Sequence, residues 1–91
     1  MFLIKLTYKT SLSHIDRYIA EHHRVIKKHM ERNLILLSGP EEPRTGGMIL
    51  FTGNKAQVWQ MIRQDPFYTH RLASYQIIEW FCYDQSKFAQ A

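Results

Sequence analysis

The chain has 91 residues, 45% of them hydrophobic, with a formal charge of +4 and a pI near 9.4. That length makes one small domain, which buries only about two-thirds of its unfolded surface and gains from oligomerisation. The composition excludes a disordered chain, no apolar run approaches the roughly 20 residues that span a bilayer, and the single cysteine, Cys82, excludes an internal disulfide and a thiolate metal cluster. The start, Met1-Phe2-Leu3-Ile4-Lys5, alternates like a strand and lacks the basic opening and long apolar run of a signal peptide. A cytoplasmic, reducing location is the expectation. The pI meets the loose basic criterion for a nucleic-acid binder. Yet Lys and Arg are scattered, and their one cluster, Arg24, Lys27 and Lys28, reads as the solvated face of a helix.

Residues 2–8 form the first predicted strand, with Phe2, Ile4, Leu6 and Tyr8 on one face and Leu3, Lys5 and Thr7 on the other. After a short polar connection, Ser13 is the expected N-cap of a long helix, with Asp16 placed for a capping box. Ile15, Ile19, Ile26 and Met30 recur at helical spacing, and His22 and His29 fall on the same stripe. Asn33 stands where a left-handed C-cap is wanted. Leu34 to Leu37 is continuously apolar, which predicts a strand buried on both faces, ended by Gly39-Pro40. Residues 41–47 are an irregular loop, and residues 48–52 a third strand antiparallel to the second.

Asn54 caps a second helix, with Gln57 completing a capping box and Val58, Trp59, Met61 and Ile62 on the apolar side. Asp65-Pro66 ends it, because the residue before a proline avoids helical geometry. Residues 67–72 read as a short helical or irregular turn, residues 74–83 as the last strand, and residues 84–91 as a polar tail. The order β-α-β-β-α-β predicts a ferredoxin-like α+β domain: a four-stranded antiparallel sheet with both helices on one face. The other face would keep apolar residues from every strand. An uncovered apolar face of several hundred Å² is normally an interface, so a homodimer with sheets packed face to face is expected.

Five histidines are candidates for chemistry. His14 and His23 fall on solvent-facing positions, His29 lies near the helix end, His70 follows the Asp65-Pro66-Phe67 turn, and His22 is central on the stripe and aimed at the sheet. His22 has two readings. It is a half-buried histidine bonded to backbone, or it pairs with a carboxylate, for which Asp65 is the best-placed candidate. A carboxylate on one ring nitrogen fixes the tautomer and leaves the other nitrogen more basic, an arrangement suited to moving protons near neutral pH. His22 and His29 are two turns apart, about 10 Å, too far to share one metal ion. No metal is therefore expected. Ser38 lacks the surroundings of a nucleophile elbow. Arg44-Thr45-Gly46-Gly47 reads either as a plain turn before a strand or as an anion cradle of backbone N–H groups and a guanidinium. No nucleotide-binding glycine motif is present, and no cofactor is expected.

Glu21-His22, Asn33-Leu34, Leu37-Ser38-Gly39-Pro40, Pro43-Arg44-Thr45-Gly46-Gly47, Asp65-Pro66-Phe67 and Ala73-Ser74-Tyr75-Gln76-Ile77-Ile78-Glu79-Trp80 together resemble, in order and spacing, the YciI-like (YCII-related) proteins. The resemblance runs from Phe2 to about Phe81 and implies a ferredoxin-like domain that dimerises through its sheets into an α/β barrel. It also implies a catalytic pair made of a helix histidine and the aspartate of an Asp-Pro-aromatic turn. Here those positions are His22, which helical phase selects over adjacent His23, and Asp65. Some relatives resemble enzymes acting on small ring compounds, including one that removes chloride from a chlorinated hydroxyquinol. The wider superfamily resembles muconolactone isomerases and cofactor-free monooxygenases. The expected function is a dimeric, cofactor-independent enzyme using His22 and Asp65 for general acid/base chemistry of the elimination, isomerisation or lactone type. Its substrate would be a small anionic or aromatic molecule held by Ser38, Arg44, Gly46 and Gly47, with Phe67 and Tyr75 as apolar walls. The alternative is a non-catalytic small-molecule-binding module on the same scaffold. No nucleic-acid or membrane partner is expected.

Overall fold

The computed structural model describes residues 1–83; the predicted polar tail, 84–91, lies outside the described residues. The elements run β1 (Phe2–Tyr8), α1 (Leu12–Asp16), α2 (Ile19–Glu31), β2 (Ile35–Pro40), β3 (Gly46–Phe51), α3 (Lys55–Gln64), α4 (Pro66–Thr69) and β4 (Ala73–Glu79). The four strands form one antiparallel sheet in the order β2-β3-β1-β4, which is the ferredoxin-like α+β arrangement.

The pleat decides what is buried. Phe2, Ile4 and Leu6 of β1 point inward beside Phe51 and Ile49 of β3, and they pack with Ile15, Ile26, Val58, Met61, Ile62 and Phe67 from the helical layer. Successive strand residues face opposite sides, so Leu3 points outward. Register places Leu37, Leu50, Leu3 and Ile78 in one row across the four strands of that outer face. Leu37 is 68% exposed and Ile78 41%. The row nearer the other end, Gly46, Thr7 and Ser74, has no large apolar side chain.

Local signals explain the boundaries. Asn54 caps α3 through a complete capping box with Gln57, both bonds at 2.9 Å. Asn33 adopts φ 60°. It closes α2 in a Schellman pattern, with Leu34 N–H donating to the His29 carbonyl and Asn33 N–H to that of Met30.

Several expectations need correction. The long helix is two helices, interrupted at Arg17 and Tyr18, where Arg17 N–H and Tyr18 N–H close tight turns onto His14 and Ile15. The break coincides with two tertiary contacts invisible to periodicity: the Asp16–Arg44 ion pair and the Tyr18 ring against His70, 4.4 Å between centroids. The cap of α1 is Ser11, which accepts from His14 N–H, rather than Ser13. In β2 only Ile35 is buried; Leu37 lies in the outward row of the sheet, Leu36 sits at the irregularity between Ile35 and Leu37 on this edge strand, and both are exposed. The last strand stops at Glu79, although Trp80 N–H still reaches the Met1 carbonyl at 2.8 Å.

The third strand also begins earlier than its apolar run, at Gly46. A Cβ there would overlap the Leu6 carbonyl across the β1–β3 pair, so glycine is what lets the two backbones approach. Gly46→Ala is expected to lower stability by about 2 kcal/mol or more through strand displacement. Urea unfolding measures this, and a loss under about 0.5 kcal/mol would show that the pairing yields easily.

Candidate active site

The inner positions of β2 and β3 become small toward one end of the sheet. Ile35 and Phe51 fill the layer at one end; Ser38, Pro40 and Gly47 do not at the other. The missing side-chain volume leaves a cavity of about 520 Å³ between these strands and α2. Its floor includes Ser38, Pro40, Gly47 and Ile49, and its helix wall includes Ile19, His22, Ile26 and Met30. Tyr8, Arg44 and Phe67 complete the enclosure, with His23 and Lys27 on the same side as His22. Among the described residues, the ionisable side chains that line it are histidines, cations and a tyrosine, with no carboxylate.

His22 Nδ1 lies 2.9 Å from Asp65 Oδ1. The Asp65 side chain has no solvent exposure, and that of His22 is 12% exposed. The sequence places Asp65 there for a local reason. It ends α3 at ψ 123°, as a residue before proline should, and it caps α4, where Oδ1 accepts from Phe67 N–H at 3.0 Å. The second oxygen, Oδ2, accepts from the Tyr75 hydroxyl at 2.6 Å. A carboxylate only accepts, so His22 donates through Nδ1–H, and in the neutral ring Nε2 carries the lone pair. Nε2 has no hydrogen-bond partner among the described residues. Phe67 stacks on the imidazole with centroids 4.1 Å apart and planes 7° from parallel, which fixes the ring plane.

The other predicted site residues divide. Ser38, Arg44, Gly47 and Phe67 line the cavity beside His22. Gly46 does not: it is buried inside β3, and its carbonyl accepts from Glu41 N–H. The Gly-Gly pair is therefore strand, with Gly46 and Gly47 opposite Thr7 and Leu6, not a loop folded around an anion. Tyr75 is no wall of this cavity either. It faces a separate groove of about 310 Å³ with Phe2, Lys55, Trp59, Ile77 and Glu79, and its hydroxyl turns to Asp65. Arg44 is held by Asp16, and this hydrogen bond lowers the Asp16 carboxyl and raises the guanidinium from their ordinary values. The Tyr8 side chain also faces Arg44.

Of the stripe histidines, His29 takes the structural role. It is 1% exposed and donates through Nδ1 to the Val25 carbonyl at 2.8 Å. The sequence assigns Tyr8 only to a strand face and Lys27 to the solvated face of the helix, yet both line the cavity. Tyr8 shares the inward face of β1, a usable signal, whereas Lys27 sits among solvated cations and carries none.

Burial, followed by the Asp65 charge and its hydrogen bond, raises Tyr75 far above the ordinary tyrosine value of 10.0. The folded protein thus keeps this phenol proton where the unfolded chain releases it. The resulting stabilisation is complete below pH 10 and is lost as pH rises beyond it. Each pH unit above about 10 is expected to cost wild type up to about 1.4 kcal/mol more than Tyr75→Phe. Urea unfolding of both proteins from about pH 9 to 11 reads this gap directly, and a gap that does not change with pH would show that Tyr75 ionises freely.

No protein-family model and no curated protein matches the sequence. Among solved structures, the chain is similar to 5-chloro-2-hydroxyhydroquinone dehydrochlorinase (TftG) from Burkholderia phenoliruptrix AC1100, in complex with 2,5-dihydroxybenzoquinone. The two are 20% identical, the match covers 88% of this chain and 92% of that one, and the TM-score is 0.71. At that identity the likeness is one of fold.

Proposed function

We propose that this chain is a small, cofactor-independent enzyme of the YciI-like kind, in which His22 moves a proton on a small anionic or aromatic molecule bound in the cavity. The observation that carries this reading is the His22 imidazole in the cavity wall. Its Nδ1–H is spent on a fully buried carboxylate, and its Nε2 has no protein partner among the described residues. Nε2 takes a proton from the substrate, the imidazolium is stabilised by Asp65, and the same nitrogen returns the proton to another position or to the departing group. Elimination, isomerisation and lactone chemistry all fit this sequence. The enclosing Arg44 and Lys27 favour an anion, and Phe67, Ile19, Ile26 and Met30 favour an apolar body. The shared fold with TftG, a dehydrochlorinase, adds support for chemistry on a small ring compound.

Turnover of a panel of hydroxylated aromatics and lactones, without added cofactor, tests this. His22→Ala is expected to lower kcat by about 100-fold or more; because it also removes a donor from the buried Asp65 carboxylate, folding of the variant is checked by circular dichroism. Ligands that bind without turnover across the panel would overturn the enzyme and favour a binding module.

The assembly proposed with it is a homodimer through the outer sheet faces, supported by the row Leu37, Leu50, Leu3 and Ile78. Leu37→Glu removes no buried contact within one chain, since Leu37 is 68% exposed. It is expected to convert the dimer to monomer in sedimentation velocity. A variant that sediments as wild type would place the interface elsewhere.

A further inference from the structure

The Asp65 carboxylate receives three donors from three elements: His22 Nδ1–H from α2, Phe67 N–H from α4 and the Tyr75 hydroxyl from β4. The first two share Oδ1, and Tyr75 alone serves Oδ2. No solvent reaches the group. The Tyr75 bond, at 2.6 Å, is the shortest of the three, as expected for a neutral hydroxyl donating to a charged oxygen. Register explains the geometry. Tyr75 pairs with Leu6 and so points to the helical side of the sheet, on the strand farthest from β2.

We propose that Tyr75 is a positioning residue of the His22–Asp65 pair: its hydroxyl holds Oδ2, keeping Asp65 ionised and turned so that the shared proton stays on His22 Nδ1 and Nε2 is presented to the cavity as a free base. This rests on reading His22 as the proton carrier. A phenol donating to the carboxylate disperses its charge. The anion then binds a second proton on the pair less avidly, and His22 gives up its extra proton at lower pH than it would beside an unassisted carboxylate. Removing the hydroxyl strands Oδ2 without a partner where water cannot replace it. The pair then holds its second proton to higher pH, with that proton shared toward the carboxylate.

Other ionisable groups surround this chain of bonds. His23 lies 5.8 Å from the His22 ring, and Lys27, Arg44 and Tyr8 line the same cavity. Tyr68 makes an edge contact with the Tyr75 ring at 5.8 Å, and Lys55 and Glu79 flank its groove. All of them persist in Tyr75→Phe, which removes only the hydroxyl and keeps the ring against Tyr68. Tyr68→Phe is therefore the matched control.

The experiment follows the His22 ring nitrogens by long-range 1H–15N correlation, from about pH 5 to 9, in wild type, Tyr75→Phe and Tyr68→Phe. Wild type and Tyr68→Phe are expected to show protonated Nδ1 and bare Nε2 at the alkaline end. In Tyr75→Phe the protonation midpoint is expected about half a pH unit or more higher. Substitution of the Tyr75 ring with 3-fluorotyrosine, a stronger donor, should move it the opposite way; this keeps the test decisive if Tyr75→Phe fails to fold. Identical midpoints and tautomers in folded wild type, Tyr75→Phe and the fluorinated protein would overturn the proposal and leave Tyr75 a packing residue. The measurement needs no substrate. Coupling with no turnover on any panel compound keeps the Tyr75 assignment and defeats the enzyme reading. Turnover that depends on His22 but not on Tyr75 does the reverse.

Discussion

The Asp65 carboxylate has no solvent exposure, and an ionised carboxylate taken out of water is stable only if protein donors replace the lost hydration. Three groups do so here, and meeting that demand organises the middle of the molecule. Asp65 ends α3 and begins α4; its acceptors draw in α2 through His22 and β4 through Tyr75. One side chain thus joins three helices and a strand. Because it also caps α4, it sets the position of Phe67, whose ring then lies flat on His22. The histidine is held by one bond and one stacking plane that share a single origin. Geometry this overdetermined suits a group that must keep one tautomer and one orientation.

The cavity has an equally simple cause. The inner surface of the sheet is large-residue at one end and small-residue at the other, so α2 cannot pack along its whole length. Ile26 reaches the core and also borders the cavity, while Ile19 and Met30 of the same helix line the cavity, with Met30 38% exposed. The cost is lost contact along part of a helix in a small domain. The surface tie from Lys28 to Gln64, at 3.0 Å, links α2 to α3 on the outer side and helps to hold the helix across the gap.

How far the sequence could be read follows from which interactions are local. The capping box of Asn54 and Gln57, the left-handed Asn33 and the helix end at Asp65-Pro66 depend on near neighbours, and each lies where its residue type demands. His22 was selected by helical phase, a property of α2 alone, and the structure lines the cavity with it. Features that depend on a distant partner were misread. The break at Arg17 and Tyr18 accompanies contacts to Arg44 and His70; nothing in the periodicity of the stripe reports them. Leu34 to Leu37 looked buried on both faces because apolarity does not distinguish a core strand from an edge strand. Gly46 looked like a flexible loop residue because the chain does not reveal that the Leu6 carbonyl occupies its side-chain space. Tyr75 looked like an apolar wall because its single polar atom has a partner ten residues away across the domain interior.

The same strands that shape the cavity also carry the exposed face, and this constrains how the molecule can be altered. In β3 the pleat sends Ile49 and Gly47 toward the cavity and Leu50 and Met48 outward. In β2, the edge strand, Ser38 and Leu37 divide in the same way. A substitution that reshapes the pocket floor therefore sits one residue from the outer apolar row, and a shift of one residue in strand register would exchange the two. A slip that brings Thr45 to the place of Gly46 is opposed, because a Cβ there would overlap the Leu6 carbonyl. Gly46 thus helps to hold the register that decides which face of β3 meets the cavity and which is left for another surface.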